Sequence, residues 1–228
     1  VEADFWKARW EEGQIGFHQD RANDYLVRHW PALGVPAGAR VLVPMCGKSK
    51  DMLWLRAQGY PVLGVELSPI AVDAFFAENN LSLSRSSEGK FERASADGCE
   101  LLCGDFFDLA KRDCEGVLAV YDRASLIALP VEMRERYARH LAGLLDPGDQ
   151  VLLITMEYPQ YEMDGPPFSV HEEDVRRLYE PAFEVRLLGA VDVLAENARF
   201  RDRGVSALHE KTYALKRREC LRSVPWTI

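Results

Sequence analysis

Apolar and polar positions along this chain follow two alternating rhythms. Residues 40–43, 61–66, 116–121 and 150–156 are short apolar runs bounded by turn residues. Such runs predict strands covered on both faces. Longer mixed patterns between them predict helices over 49–58, 69–79 and 130–144. Gly59 closes the first, and Ser68-Pro69 opens the second with an N-cap followed by proline at the first helical position. Strands alternating with helices predict an α/β chain built on a mostly parallel sheet with helices on both faces.

The flanks read differently. Phe5, Trp6, Arg9 and Trp10 fall at helical spacing, and the glycine-punctuated Gly13-Gln-Ile-Gly-Phe-His18 reads as a loop suited to covering a ligand. A helix over 23–30 is ended by Pro31. Residues 81–103 break the α/β rhythm, and their alternation around Ser87-Glu-Gly-Lys90 predicts a hairpin; Asp97-Gly98 is a second turn. Residues 171–179 predict a helix, and 183–190 with 206–215 an antiparallel pair. With no repeat and no linker, residues 1–218 are expected to form a single domain. Residues 1–30 would be its N-terminal lid segment and 219–228 a tail.

Composition narrows the function classes. In 228 residues, 47% hydrophobic content supplies a full core, and a net charge of −8 opposes nucleic-acid backbones. No apolar run nears the ~18 residues of a membrane span, and no signal-peptide pattern is seen. Five cysteines without a framework spacing fit a reducing, cytoplasmic setting, and Cys99 and Cys103 read as core thiols in or near a strand. Scattered histidines give no basis for a metal site.

Candidate chemistry gathers at the predicted carboxyl ends of strands, where open α/β sheets bind ligands. The stretch Val41-Leu-Val-Pro-Met-Cys-Gly-Lys-Ser-Lys-Asp-Met52 is a strand, a turn and a helix start. Glu66 ends the next strand, 19 residues beyond Gly47. A ribose-binding carboxylate belongs at about that distance, roughly 20 residues on. A turn with one glycine is not Gly-x-Gly-x-x-Gly, which argues against a dinucleotide and for a nucleoside without phosphate, S-adenosylmethionine being the candidate. Lys48-Ser49 is not a P-loop, since the required glycine position is occupied by Leu42. Met45, Asp105-Phe106 and Asp122-Arg123 lie at further strand ends.

These stretches, together with Phe5-Trp-Lys-Ala-Arg-Trp10, Gln14-Ile-Gly-Phe-His18, Gly64-Val-Glu-Leu-Ser68, Gly104-Asp-Phe-Phe-Asp108, Tyr121-Asp-Arg123 and Gly165-Pro-Pro-Phe168, resemble the thiopurine S-methyltransferase family, most closely its bacterial branch. They run in order from residue 5 to about 216. The resemblance implies a Rossmann-like class I methyltransferase with a seven-stranded sheet and an antiparallel last strand. It implies a monomer that moves a methyl group from S-adenosylmethionine to thiol or selenol acceptors, with metalloid detoxification as a further expectation. By resemblance, Trp10, Met45, Gly47, Glu66, Leu67, Asp105, Phe106 and Arg123 line the cofactor region. Glu66 takes the ribose hydroxyls, and Asp105 and Phe106 flank the adenine. Phe17, Arg123 and Arg199 face the acceptor, Arg199 being placed only by its spacing to Gly204 and Glu210. Met45 stands where relatives are expected to carry leucine, a nearly isosteric exchange.

Transfer from a sulfonium demands alignment more than activation. Arg123, permanently charged, favours a thiolate, so no dedicated base is required; Asp122 is the alternative proton acceptor, or else an orienting partner for Arg123 or a backbone cap. A halide or sulfide methyltransferase, a non-catalytic cofactor binder and an NAD-dependent oxidoreductase remain the rival readings. The missing glycines weigh against the oxidoreductase.

Overall fold

The computed structural model describes residues 3–16 and 18–219. Five strands run parallel in its central sheet: β1 (Arg40–Val43), β2 (Val62–Glu66), β5 (Cys99–Cys103), β6 (Val117–Arg123) and β7 (Gln150–Glu157). β9 (His209–Arg217) pairs antiparallel with β7, and β8 (Phe183–Asp192) antiparallel with β9. This part of the sheet, in the order β5-β2-β1-β6-β7-β9-β8, is the expected seven-stranded core with its antiparallel last strand. Among the described residues the sheet has nine strands. The hairpin β3 (Ser84–Glu88) and β4 (Phe91–Ala96) joins it through antiparallel pairing of β4 with β5. Asp97 and Gly98 connect β4 to β5 with both residues at positive φ, the conformation a tight hairpin turn requires.

Side chains alternate across the sheet, so each strand feeds two cores. Val41, Val43, Ala119, Tyr121, Leu152 and Ile154 pack in one core; α2 (Asp24–His29), α3 (Asp51–Ala57) and α4 (Pro69–Glu78) contribute Leu26, Met52, Leu55, Val72 and Phe75 to it. Leu42, Leu63, Val120 and Leu153 point the other way, against Tyr137 and Leu141 of α5 (Val131–Leu144) and Val175 of α6 (Glu172–Tyr179). Helices therefore cover both faces. Caps fix the helix starts: Asn23 accepts from the N–H groups of Tyr25 and Leu26, and Ser68 from that of Ala71. Pro31 does not stop the chain at Trp30. The helix tightens into a 3₁₀ turn, Trp30–Leu33, in which the proline occupies an early position whose N–H has no partner to lose.

An N-terminal helix, α1 (Ala3–Glu11), precedes this core, and α7 (Ala198–Arg201) interrupts the return from β8 to β9. Cys46, Cys99, Cys103 and Cys114 are free thiols, with Cys99 and Cys103 in β5 as expected. The expected tail begins past β9; residues 220–228 lie outside the described part of the chain.

Candidate functional site

Strand order reverses at β1: the chain crosses from there to β2 on one side and later returns to β6 on the other. A crevice opens at such a switch point, beyond the carboxyl ends of the strands. A cavity of about 400 Å³ lies there, within the range of small-molecule sites. The turn after β1 supplies its middle, and Met45 and Gly47 both hold positive φ. For methionine that conformation is strained, and it sets the turn's backbone against the cavity. Ala124, just past β6, is a second non-glycine residue at positive φ in the lining.

On the β2–β5 side stand Glu66, Leu67, Asp105 and Phe106. Glu66 Oε2 accepts from the Gly47 N–H at 2.8 Å and Oε1 from the Ser68 N–H at 2.7 Å, so both turns hold the carboxylate rigidly. Only 6% of the residue is exposed, and burial raises its pKa against the pull of these backbone donors. Each oxygen keeps a lone pair, which suits a diol donor. Asp105 Oδ1 accepts from the Phe107 N–H, and the Phe106 carbonyl meets His140 Nε2 at 3.0 Å. The two turn lysines are drawn away from the cavity: Lys48 pairs with Glu78 at 2.6 Å and Lys50 bonds Asn79. The turn thus has no cation set to cradle a phosphate, in keeping with a phosphate-free nucleoside.

The β6–β7–β9 side presents Arg123, Thr155 and Glu210, with Asn197, Arg199 and Phe200 above them. Arg123 projects on the α3 face, where its Nη1 donates to Asp51 Oδ2 at 3.2 Å. Asp51 is 1% exposed; its Oδ2 also accepts from the Tyr121 hydroxyl at 3.0 Å and its Oδ1 from the Asn23 N–H at 2.7 Å. Arg123 thus pairs with Asp51, while its neighbour Asp122 is directed elsewhere. Alternation sends Asp122 to the opposite face, fully buried and accepting from the Tyr137 hydroxyl at 2.7 Å. Burial pushes its pKa up to about 6, but it does not line the cavity, and the expectation of Asp122 as an alternative proton acceptor is dropped on that geometry.

The N-terminal segment closes the cavity through Trp6, Arg9, Trp10, Gln14, Gly16 and His18, with Trp10 buried to 7% exposure. Phe17, expected to face the acceptor, lies outside the described residues. Gly16 passes close to Arg199: a Cβ there would meet its Nη1 at 2.6 Å. Burial, then the nearby Arg203 and Arg9, lowers the pKa of Arg199. The residues Trp10, Met45, Gly47, Glu66, Leu67, Asp105, Phe106, Arg123 and Arg199, expected from the sequence, all line this cavity; Thr155 and Glu210 in the lining, and Asp51 buried behind Arg123, were not expected.

Comparison with known proteins decides the family. The family model for thiopurine S-methyltransferase matches residues 1–218. A thiopurine S-methyltransferase from Nitrosospira multiformis is 53% identical over 96% of this chain and 99% of its own length. The chain belongs to the thiopurine S-methyltransferase family. Another member, from Azotobacter vinelandii, is 52% identical over 94% of this chain and 99% of its own. Membership makes it a methyltransferase that uses S-adenosylmethionine and acts on sulfur. Distant solved structures share the fold. A methyltransferase from Anabaena variabilis superposes with a TM-score of 0.66 at 18% identity, covering 96% of each chain. A Burkholderia thailandensis N1-methyltransferase with bound S-adenosylhomocysteine superposes at 0.64 and 15% identity, covering 95% of this chain and 87% of its own.

Proposed function

We propose that this chain methylates the sulfur of aromatic or heterocyclic thiols, thiopurines among them, and also accepts selenium or tellurium compounds. One observation carries the reading: a single cavity joins a rigidly held ribose-type carboxylate, Glu66, to an arginine-bearing half built around Arg123. The residues present fit the donor. Glu66 would hold the ribose hydroxyls, Asp105 and Phe106 the adenine, and Trp10, Met45, Gly47, Leu67 and Arg123 the remainder. When bound, S-adenosylmethionine supplies a methyl group already activated on a sulfonium.

The chain's own task is then to align the acceptor and exclude water. Arg123, braced by Asp51, offers a fixed cation that favours a thiolate. Arg199 approaches from α7, and Trp6 and Trp10 shut the cavity from the N-terminal side. With its acidic balance and small-molecule cavity, the protein acts as a cytoplasmic monomer on small thiols or selenols rather than on nucleic acid or membrane, through one domain (1–218) with its lid carried on the N-terminal segment (1–30). Acceptor choice is tested with methyl-labelled S-adenosylmethionine and a panel of 6-mercaptopurine, thiophenol, a selenol, sulfide and iodide. Preference for the aromatic thiols supports the reading. Preference for sulfide or iodide replaces it with a small-acceptor methyltransferase.

A further inference from the structure

We propose that Glu210 is the proton acceptor for the methyl-accepting thiol, an inference that rests on S-methyl transfer as proposed above. Methylating a neutral thiol releases one proton per turnover. The S–H bond, or the ring N–H bond of a thione tautomer, breaks and leaves its electron pair on the acceptor. Sulfur then bonds the methyl carbon as the carbon–sulfonium bond breaks towards the leaving thioether. A base on the acceptor side is the natural destination of the proton.

Among the described residues, the carboxylates lining the cavity are Glu66, Asp105 and Glu210. Glu66 and Asp105 belong to the β2–β5 half, and Glu66 is occupied by two backbone N–H groups. His18, the one histidine in the lining, sits by Lys48 and Glu78 on that same side. Glu210 stands alone in the half that holds Arg123. Its strand, β9, pairs with β7 so that Glu210 lies across from Met156, and with β8 so that it lies across from Val191; neither neighbour titrates.

The groups that face Glu210 come from three elements. The Tyr25 hydroxyl, on α2, favours its charged form; Arg123 approaches from β6; Glu196 repels it from the 3₁₀ turn Leu194–Glu196. Burial raises the pKa of Glu210, and Tyr25 and Arg123 oppose that rise. The charge balance gives the carboxylate its use. Arg123 already has Asp51 as a buried counter-ion. A thiolate forming beside an ionised Glu210 would add a second uncompensated anion. Passing the proton to Glu210 as the thiolate forms leaves the total charge around Arg123 unchanged.

The test compares wild type with Glu210→Gln and Tyr25→Phe on two aromatic thiols, one fully ionised at the assay pH and one with a pKa well above it. Glu210→Gln should lower kcat on the un-ionised thiol by on the order of 10²-fold, and change kcat on the ionised thiol by less than about threefold. Wild-type kcat/KM on the un-ionised thiol should rise with pH through the Glu210 ionisation. That acid limb should vanish in Glu210→Gln and move to higher pH in Tyr25→Phe, which loses the hydroxyl that favours the charged carboxylate. Equal losses on both thiols, with the limb unmoved in Tyr25→Phe, would overturn the assignment and leave Glu210 a shaping residue. Failure of wild type to methylate either thiol would instead strike the S-methyl reading itself.

Discussion

Replacing Asp51 with asparagine keeps the shape of the side chain and removes one buried charge from the middle of the site. Asp51 accepts three hydrogen bonds, from the Asn23 N–H, the Tyr121 hydroxyl and Arg123. An amide has one acceptor oxygen. If its nitrogen faces Asn23, two donors oppose each other there; if it faces the other side, a donor meets the Arg123 guanidinium. Either way, at least one hydrogen bond to a charged group is lost, about 1.5–3 kcal/mol, and a buried donor is stranded, about 1–3 kcal/mol. The sum agrees with the roughly 3–5 kcal/mol lost when one member of a buried ion pair is removed. In a chain of this size each kcal/mol moves the melting midpoint by about 2–4 °C, so a loss of about 3 kcal/mol lowers it by roughly 6–12 °C. Circular dichroism melts of ligand-free protein at neutral pH measure the shift. Because Asp51 also aims Arg123, kcat/KM for the acceptor should fall more than affinity for S-adenosylhomocysteine. A midpoint within about 2 °C of wild type would refute the claim that this carboxylate braces the site.

Glu66→Ala should weaken S-adenosylhomocysteine binding by about 1–3 kcal/mol in calorimetry, and unchanged affinity would remove the ribose assignment. Arg123→Lys should reduce acceptor turnover more than cofactor affinity, because an ammonium lacks the planar fork; equal losses in steady-state and binding assays would speak against that role. Gly16→Ala places a methyl group on the far end of Arg199, so acceptor KM should rise while the melting midpoint holds; an unchanged KM would separate Arg199 from the acceptor. Asp122→Asn gives a pH signature. The folded-state pKa of about 6 exceeds the ordinary value near 4, so the folded state binds the proton more tightly, and the stability this group contributes is present at low pH and lost as pH rises through about 6. Melts across that window should show a shallower fall for the variant than for wild type. Parallel profiles would mean that Asp122 titrates normally.

The strand ends were legible because a strand buried on both faces leaves an apolar run whose end is marked by chemistry. Glu66, Asp105 and Arg123 announce themselves in that way. Asp51 gave no such mark, since an acid in a first helical turn usually faces water and its burial depends on a tyrosine and an arginine some 70 residues onward. Glu210 sits among His209, Lys211 and Thr212, where polar residues on both faces of a strand hide which one lines a cavity. Asp122 shows the limit of reading strand ends: alternation turns it to the Tyr137 face, away from Arg123, and there it is buried outside the lining. Alternation around Ser87-Glu-Gly-Lys90 marks the hairpin β3–β4, which pairs through β4 with β5 and extends the expected seven-stranded sheet to nine. Residues 194–201 carried no periodic pattern, and the 3₁₀ turn and α7 formed there deliver Asn197, Arg199 and Phe200 to the site.

The most direct test is a single turnover with the protein in excess over methyl-labelled S-adenosylmethionine, 6-mercaptopurine as acceptor, and the product's methyl position assigned by nuclear magnetic resonance. Label on the exocyclic sulfur, formed at a rate that Arg123→Lys reduces, is the predicted result. Label on a ring nitrogen, or bound cofactor with no transfer to this or any other thiol, would contradict the account.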